Sequence, residues 1–239
     1  MNKLIVLTKN DFKNIIRDDI LKYFFLAVPL LFIIIFILVI PVVIHEFPVV
    51  SNYTHIILSF FALELPMIIG FVISFMMLDE KDERVFTALR VMPVSLFQFL
   101  FYRLSFAVFF TFVFVFIMLY FNGLYHIPVG VIFLNSLSFA MIAPIVILLE
   151  VTFANNKVTG FAIFKGLNFI FIIPVASFFI KSKWGALSGL IPSYWPLNSL
   201  VAYIDNQTFS TESVISMVYS GFLIVFLSLL FKRKVFYLK

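Results

Sequence analysis

Two carboxylates sit in stretches that otherwise look made for lipid: Glu64 in "FFALELPMIIG" and Glu150 in "VILLEVTFANNK". An ionisable group inside an apolar span is costly there and belongs against protein or water, where it can bind a cation or tie two helices together. Glu64 stands two residues before Pro66, which loosens the local backbone hydrogen bonding, and is a candidate for either role. Glu150 lies near the end of its run and is expected to reach the interface or pair with Lys157. The densest set of titratable groups is "LDEKDERVFTALRVMP" (Leu78 to Pro93). It has no histidine or cysteine companion, and its own Lys and Arg can satisfy its acids, so it reads poorly as a catalytic cluster. His45, His55 and His126 lie apart near the ends of apolar runs, without H-E-x-x-H spacing, and give no metal site. The chain has no cysteine, which removes thiolate chemistry and disulfides.

The elements that hold these residues are spanning helices. Hydrophobic residues make up 63% of the chain, charged residues 12%, and the mean hydropathy is +1.14. Soluble domains run at roughly 45–50% apolar and 25% charged. The fold class is therefore all-α integral membrane, one transmembrane domain over residues 1–239. Six runs approach or exceed the ~20 apolar residues of a crossing helix: Tyr23 to Ile44, Thr54 to Leu78, Leu104 to Phe121, Val129 to Phe153, Gly160 to Ile180 and Ser213 to Phe231. The third is short and is expected to begin inside Leu96 to Arg103. The fifth contains Lys165, whose stem can snorkel toward the nearer interface. Pro29, Pro41, Pro66, Pro144 and Pro174 fall within or at the ends of spans, where kinks are tolerated.

Of the 17 Lys and Arg, all but Lys181 and Lys183 fall on one side of these spans. Both termini are therefore expected in the cytoplasm, and the net charge of +5 needs no nucleic-acid partner. The opening "MNKLIVLTKNDFKNIIRDDILKY" has no small-residue cleavage site and reads as a retained amphipathic interface helix, with Leu4, Ile5, Leu7, Phe12, Ile15, Ile16 and Ile20 near helical spacing. On the outer side, Lys181 to Glu212 carries both tryptophans between aliphatic residues, and short re-entrant or interfacial helices are expected before the last span.

From Asp79 to Met92 the spacing predicts a short amphipathic helix lying along the membrane. Asp79, Glu80, Asp82 and Glu83 favour its N-terminus, Glu80 and Arg84 can pair, and Val85, Phe86, Leu89 and Met92 share one face before Pro93 ends it. Two readings remain open: a solvated turn whose charges fix topology, and a helix docking in a partner's groove.

The stretch "DEKDERVFTALRVMPVSLFQFLFYR" joins an acidic end of span two to an aromatic third span with an early Arg. It resembles the membrane subunit of ABC-2 type (type V) transporters, as do "ANNKVTGFAIFKG" and "IPSYWPLNSL". The resemblance implies that residues 79–92 are a coupling helix docking on the ATPase through Asp79, Glu80, Glu83, Arg84, Val85, Phe86, Leu89, Arg90 and Met92. It further implies that 181–212 is an external gate with Trp184, Tyr194 and Trp195. No G-x-x-x-x-G-K-[ST] motif occurs, so ATP and Mg are expected on a separate ABC ATPase chain and no cofactor on this one. The other expected partners are a second permease copy, identical or related, and membrane lipid. The expected function is ATP-driven export of a hydrophobic or amphipathic compound (a drug, lipid-like molecule or peptide) across a bacterial cell membrane. The rival readings are a non-transporting immunity or regulatory protein working with an ATPase, and, more remotely, a membrane-embedded enzyme.

Overall fold

The computed structural model describes residues 12–83, 86, 96–179, 183–207 and 211–237. Among these, no strand occurs, and six helices are long and apolar enough to cross a membrane. They are built from α1 (Asp19–Glu46), α2 (Thr54–Asp82), α3 (Leu96–Tyr120), α4 (Val129–Ala140) with α5 (Ile142–Phe153), α6 (Lys157–Ser177) and α8 (Glu212–Phe231). A thirteen-residue helix, α7 (Tyr194–Asn206), precedes the last span. The spans alternate in direction, so the ends of α2, α5 and α8 and the starts of α1, α3 and α6 share one basic end of the bundle.

In α1, π-helical turns at Tyr23–Ala27 and Ile35–Val39 each end just before a proline, Pro29 and Pro41. Proline lacks the amide hydrogen and crowds the carbonyl four residues back, and a wider turn bonding to the fifth residue relieves both. The buried stripe of α1 then meets α3 through Phe25, whose ring lies 5.0 Å from Phe110 and 6.1 Å from Phe106.

The central helix is α2. It is buried on nearly every side, against α5, α3, α6 and α7, as expected for a helix that is apolar all round. Gly70 sets its distance from α5: a Cβ there would stand 3.0 Å from Val146 Cβ and 3.1 Å from the Ala143 carbonyl oxygen. Span four is broken at Met141, between α4 and α5, because Pro144 cannot donate to the Ala140 carbonyl. The start of α6 carries a capping box, with the Thr159 amide donating to Asn156 Oδ1 (2.9 Å) and the Asn156 amide to Thr159 Oγ1 (3.1 Å). Only 17% of the α6 span is buried, against 78% for α2, so α6 presents an open face.

At the other end of the bundle, Asn122 closes the turn between α3 and α4. Its amide donates to the Leu119 and Tyr125 carbonyls while its oxygen accepts from the Leu124 and Tyr125 amides. Gly123, at φ +69°, supplies the left-handed step. Tyr125 then meets the Thr54 hydroxyl at the start of α2. The segment expected to be re-entrant forms a 3₁₀ turn at Lys183–Leu190 followed by α7. At about 20 Å, α7 is too short to cross and instead packs among α2, α4, α6 and α8.

Two sequence-based expectations, the end of span two and the first amphipathic helix, need adjustment. Span two runs on to Asp82, so Asp79, Glu80 and Asp82 form the last turn of a spanning helix and do not cap the start of a separate one. Span three begins at Leu96, inside the expected window. Residues 12–17 are helical, but Ile15 is packed in the core while Phe12, Ile16 and Ile20 are exposed. The positions Leu4, Ile5 and Leu7, with Arg84, Val85, Leu89, Arg90 and Met92, lie outside the described residues.

Replacing Gly70 with valine forces branched atoms against Val146 and the Ala143 carbonyl, where neither α2 nor α5 can give way alone. Overpacking of this kind costs about 2 kcal/mol, to be seen as a lower midpoint in thermal unfolding of the detergent-solubilised protein. An unchanged midpoint would show that the two helices are free to separate.

Candidate functional site

Three consecutive side chains at the end of α2 each hold a different helix. Successive residues of a helix are rotated by about 100°, so Asp79, Glu80 and Lys81 point in three directions. The Asp79 carboxylate pairs with Lys157 at the start of α6 at 2.7 Å. Glu80 pairs with Arg103 of α3, whose guanidinium is buried and also lies 5.3 Å from the Phe99 ring centre. The Lys81 ammonium donates to the Val151 carbonyl (3.1 Å) and the Ala154 carbonyl (2.6 Å). The last is a helix C-terminal cap: a cation placed where the carbonyls of α5 run out of amide partners and carry the negative end of the helix dipole. One turn of α2 thus binds α3, α5 and α6 at the basic end.

This arrangement reassigns one expected pairing and adds a partner. Lys157 pairs with Asp79 rather than Glu150. Glu80 pairs with Arg103; Arg84, its expected partner one turn on, lies outside the described residues. Phe86, expected on an exposed docking face, is 6% exposed and packs its ring against Phe99 of α3 and Phe231 of α8 at 5.9 and 5.8 Å. Its own bundle covers it. Glu83 is exposed at the end of α2. Beside it, a cleft of about 500 Å³ opens between Asn14, Arg17, Asp18 and Leu21 on one side and Met76, Asp79, Glu80 and Glu83 on the other.

Glu150 is fully buried, and neither carboxylate oxygen has a hydrogen-bond partner among the described residues. Ser74 is nearby but donates its hydroxyl to the Phe71 carbonyl (2.8 Å). Gly160 of α6 makes room for the carboxylate, since a Cβ there would stand 3.3 Å from Glu150 Oε1. Glu64, in the middle of α2, accepts from the Asn168 side-chain amide of α6 at 3.1 Å and is 8% exposed. Its second oxygen has no partner among the described residues. Lys165, one turn before Asn168, is exposed, with its ammonium 4.5 Å from the Phe161 ring centre. Among the described residues no group of His, Asp and Glu could hold a metal ion.

In the outer segment, the Trp195 indole donates to the Gly189 carbonyl (3.0 Å) and its ring stands edge-on to Tyr194 at 5.3 Å. Trp184 lies in the preceding 3₁₀ turn. Ser193 donates to the Phe171 carbonyl at 2.7 Å, three residues before Pro174 of α6. This joins the start of α7 to the turn of α6 that leads into its proline. The sequence does not single out Lys81, Arg103 or Asn168 as members of these sites, and it assigns Lys157 to Glu150 instead of Asp79. For Arg103 the signal was available: an arginine that deep in an apolar run needs a carboxylate.

The family described as "Fluoroquinolones export permease protein Rv2686c-like" matches residues 11–228. Two relatives, the fluoroquinolones export permease proteins MT2760 and Rv2686c from two strains of Mycobacterium tuberculosis, are each 29% identical to this chain over 184 residues. The match covers 74% of this chain and 71% of each relative. No solved structure matches it.

Removing one member of a buried ion pair costs about 3 kcal/mol, because the remaining charge stays in a poor solvent. Arg103→Met is expected to destabilise the solubilised protein by that order. Adding Glu80→Gln to it should then cost much less than Glu80→Gln costs alone. Strict additivity in this double-mutant cycle would mean that the pair contributes no coupling.

Proposed function

The chain belongs to the fluoroquinolones export permease family, and we propose that it is the membrane-spanning subunit of an ATP-driven exporter of hydrophobic or amphipathic drug-like compounds. Membership bears out the resemblance to ABC-2 type permeases. The observation that carries the mechanism is the clasp of Asp79, Glu80 and Lys81. The segment that follows it is where a separate ABC ATPase, holding ATP and Mg, engages the basic end, which lies in the cytoplasm with both termini. With Phe86 turned inward, docking falls to Glu83 and to Arg84, Val85, Leu89, Arg90 and Met92.

Force applied there moves the end of α2, and the three contacts pass it to α3, α5 and α6 together. The open face of α6 is covered by a second permease copy, and the route for the compound runs along that face past Glu64. At the outer end, the Ser193 bond beside Pro174 carries movement of α6 into α7 and the Tyr194, Trp195 and Trp184 region, which acts as the gate. The apolar surroundings suit an aromatic cargo, and the name of the relatives supports a compound of that kind.

Inside-out membrane vesicles containing this chain and its candidate ATPase should accumulate a fluorescent fluoroquinolone only when ATP is supplied. Arg103→Met should lower that accumulation at least tenfold while ATP hydrolysis continues, since the clasp and not the ATPase is impaired. Hydrolysis without any accumulation by the wild type would instead favour the regulatory or immunity reading.

A further inference from the structure

We infer that the cleft between residues 14–21 and the end of α2 binds the phosphoethanolamine headgroup of a membrane lipid. At about 500 Å³ it has the size of a small-molecule site. Asn14, Arg17 and Asp18 stand on one wall and Asp79, Glu80 and Glu83 on the other, over the buried Leu21 and Met76. Most of these charges are already answered. Asp79 pairs with Lys157 and Glu80 with Arg103, and Asp18 Oδ1 accepts from the Ile20 and Leu21 amides at 2.9 and 3.1 Å. Arg17 and Glu83 differ: both are exposed, and neither forms an ion pair with a described residue, including each other across the cleft.

A ligand that bridges them carries an anion for Arg17 and a cation for Glu83. The forked donors of a guanidinium suit a phosphate, and Asn14 can add an amide donor on the same wall. Opposite, Glu83 accepts from the cation, with Asp18 Oδ2 able to join it. A primary ammonium brings three N–H donors to such oxygens, whereas a quaternary one brings none. With the two ion pairs set aside, Arg17 faces two carboxylates, Asp18 and Glu83, so a headgroup of net negative charge is repelled. These conditions fit phosphoethanolamine and disfavour phosphocholine and phosphoglycerol. The flank of the cleft ties the headgroup to a lipid. Ile16 and Ile20, one turn apart beside Arg17, are 45% and 65% exposed, and the apolar span of α1 follows directly. Acyl chains can lie along this face while the headgroup enters the cleft at the membrane boundary. The selectivity runs against the basic character of this end, which elsewhere favours anionic lipids.

The test is native mass spectrometry of the purified full chain in detergent, following the first lipid bound from phosphatidylethanolamine, phosphatidylcholine and phosphatidylglycerol of matched acyl chains. No ATPase and no drug is present, so the result is independent of the export reading. The wild type should take phosphatidylethanolamine about tenfold more tightly than either other lipid, as one charge-assisted contact allows. E83Q should remove its preference over phosphatidylcholine. R17Q should weaken both of these lipids and leave their ratio unchanged, and E83K should turn the preference toward phosphatidylglycerol. Both positions are exposed, so the variants keep the fold. Equal wild-type affinity for the three lipids, a wild-type preference for phosphatidylglycerol, or an E83Q protein that still selects phosphatidylethanolamine would overturn the inference. So would displacement of the lipid by an equal concentration of soluble glycerophosphoethanolamine, which would make the ligand a free headgroup compound.

Discussion

The meeting of Glu80 with Arg103 at the end of α2 is the constraint around which the basic end is organised. An arginine on an apolar helix must be neutralised, and one carboxylate turn of α2 is long enough to do it only because α2 continues past the apolar run. That continuation brings the neighbouring residues into play. The helical twist aims Asp79 and Lys81 away from Arg103 and onto Lys157 and the carbonyls ending α5. The two acids, Asp79 and Glu80, meet bases, and Lys81 after them goes to a helix terminus, where backbone dipoles supply the negative end. A set of like charges in three successive positions could not satisfy three different neighbours.

The rest of the bundle treats polar groups in a similar way. Asn122 uses its whole amide inside one turn. Tyr125 reaches across to Thr54, and Ser193 serves a carbonyl of α6 next to its proline. Asn122 and Ser193 are buried in protein, where an unanswered donor or acceptor is costly. Among the described residues, Glu150 has no partner for either oxygen and Glu64 none for its second. Both lie against α6, the span with the least cover from its own chain after the first turn.

The number and course of the spans were legible because hydropathy over twenty residues is a strong signal, and the break in span four was foreshadowed by Pro144. The ends were harder. Charges at Asp79 to Asp82 look like the outside of a membrane when read in isolation, yet partners on three other helices let α2 carry them. Sequence proximity suggests Glu150 as the partner of Lys157, whereas Lys157 pairs with Asp79, 78 residues away, and Glu80 meets Arg103, 23 residues away. The face of Phe86 was misjudged for the same reason: amphipathic spacing shows that one side of a helix seeks apolar cover, but not whether the cover comes from its own bundle. Glu64 was recognisable from its depth alone. Asn168 was not, because a single amide in a span has no preferred reading until its neighbour is known.

The two wide turns of α1 bear on how this chain can vary. Its buried residues Leu21, Phe25, Pro29 and Ile33 recur every four positions, and Phe36 to Ile40 repeats the step. In an ideal α-helix each such step rotates the seam by about 40°, which over a full crossing would carry it off α3. A π turn holds more residues per revolution and takes up that rotation. Loss of one residue within Tyr23–Ala27 or Ile35–Val39 can therefore be absorbed by reversion to α-helical winding. The first span is where single-residue gaps between relatives can accumulate, whereas α2, gripped on all sides and anchored by its final turn, has no comparable slack.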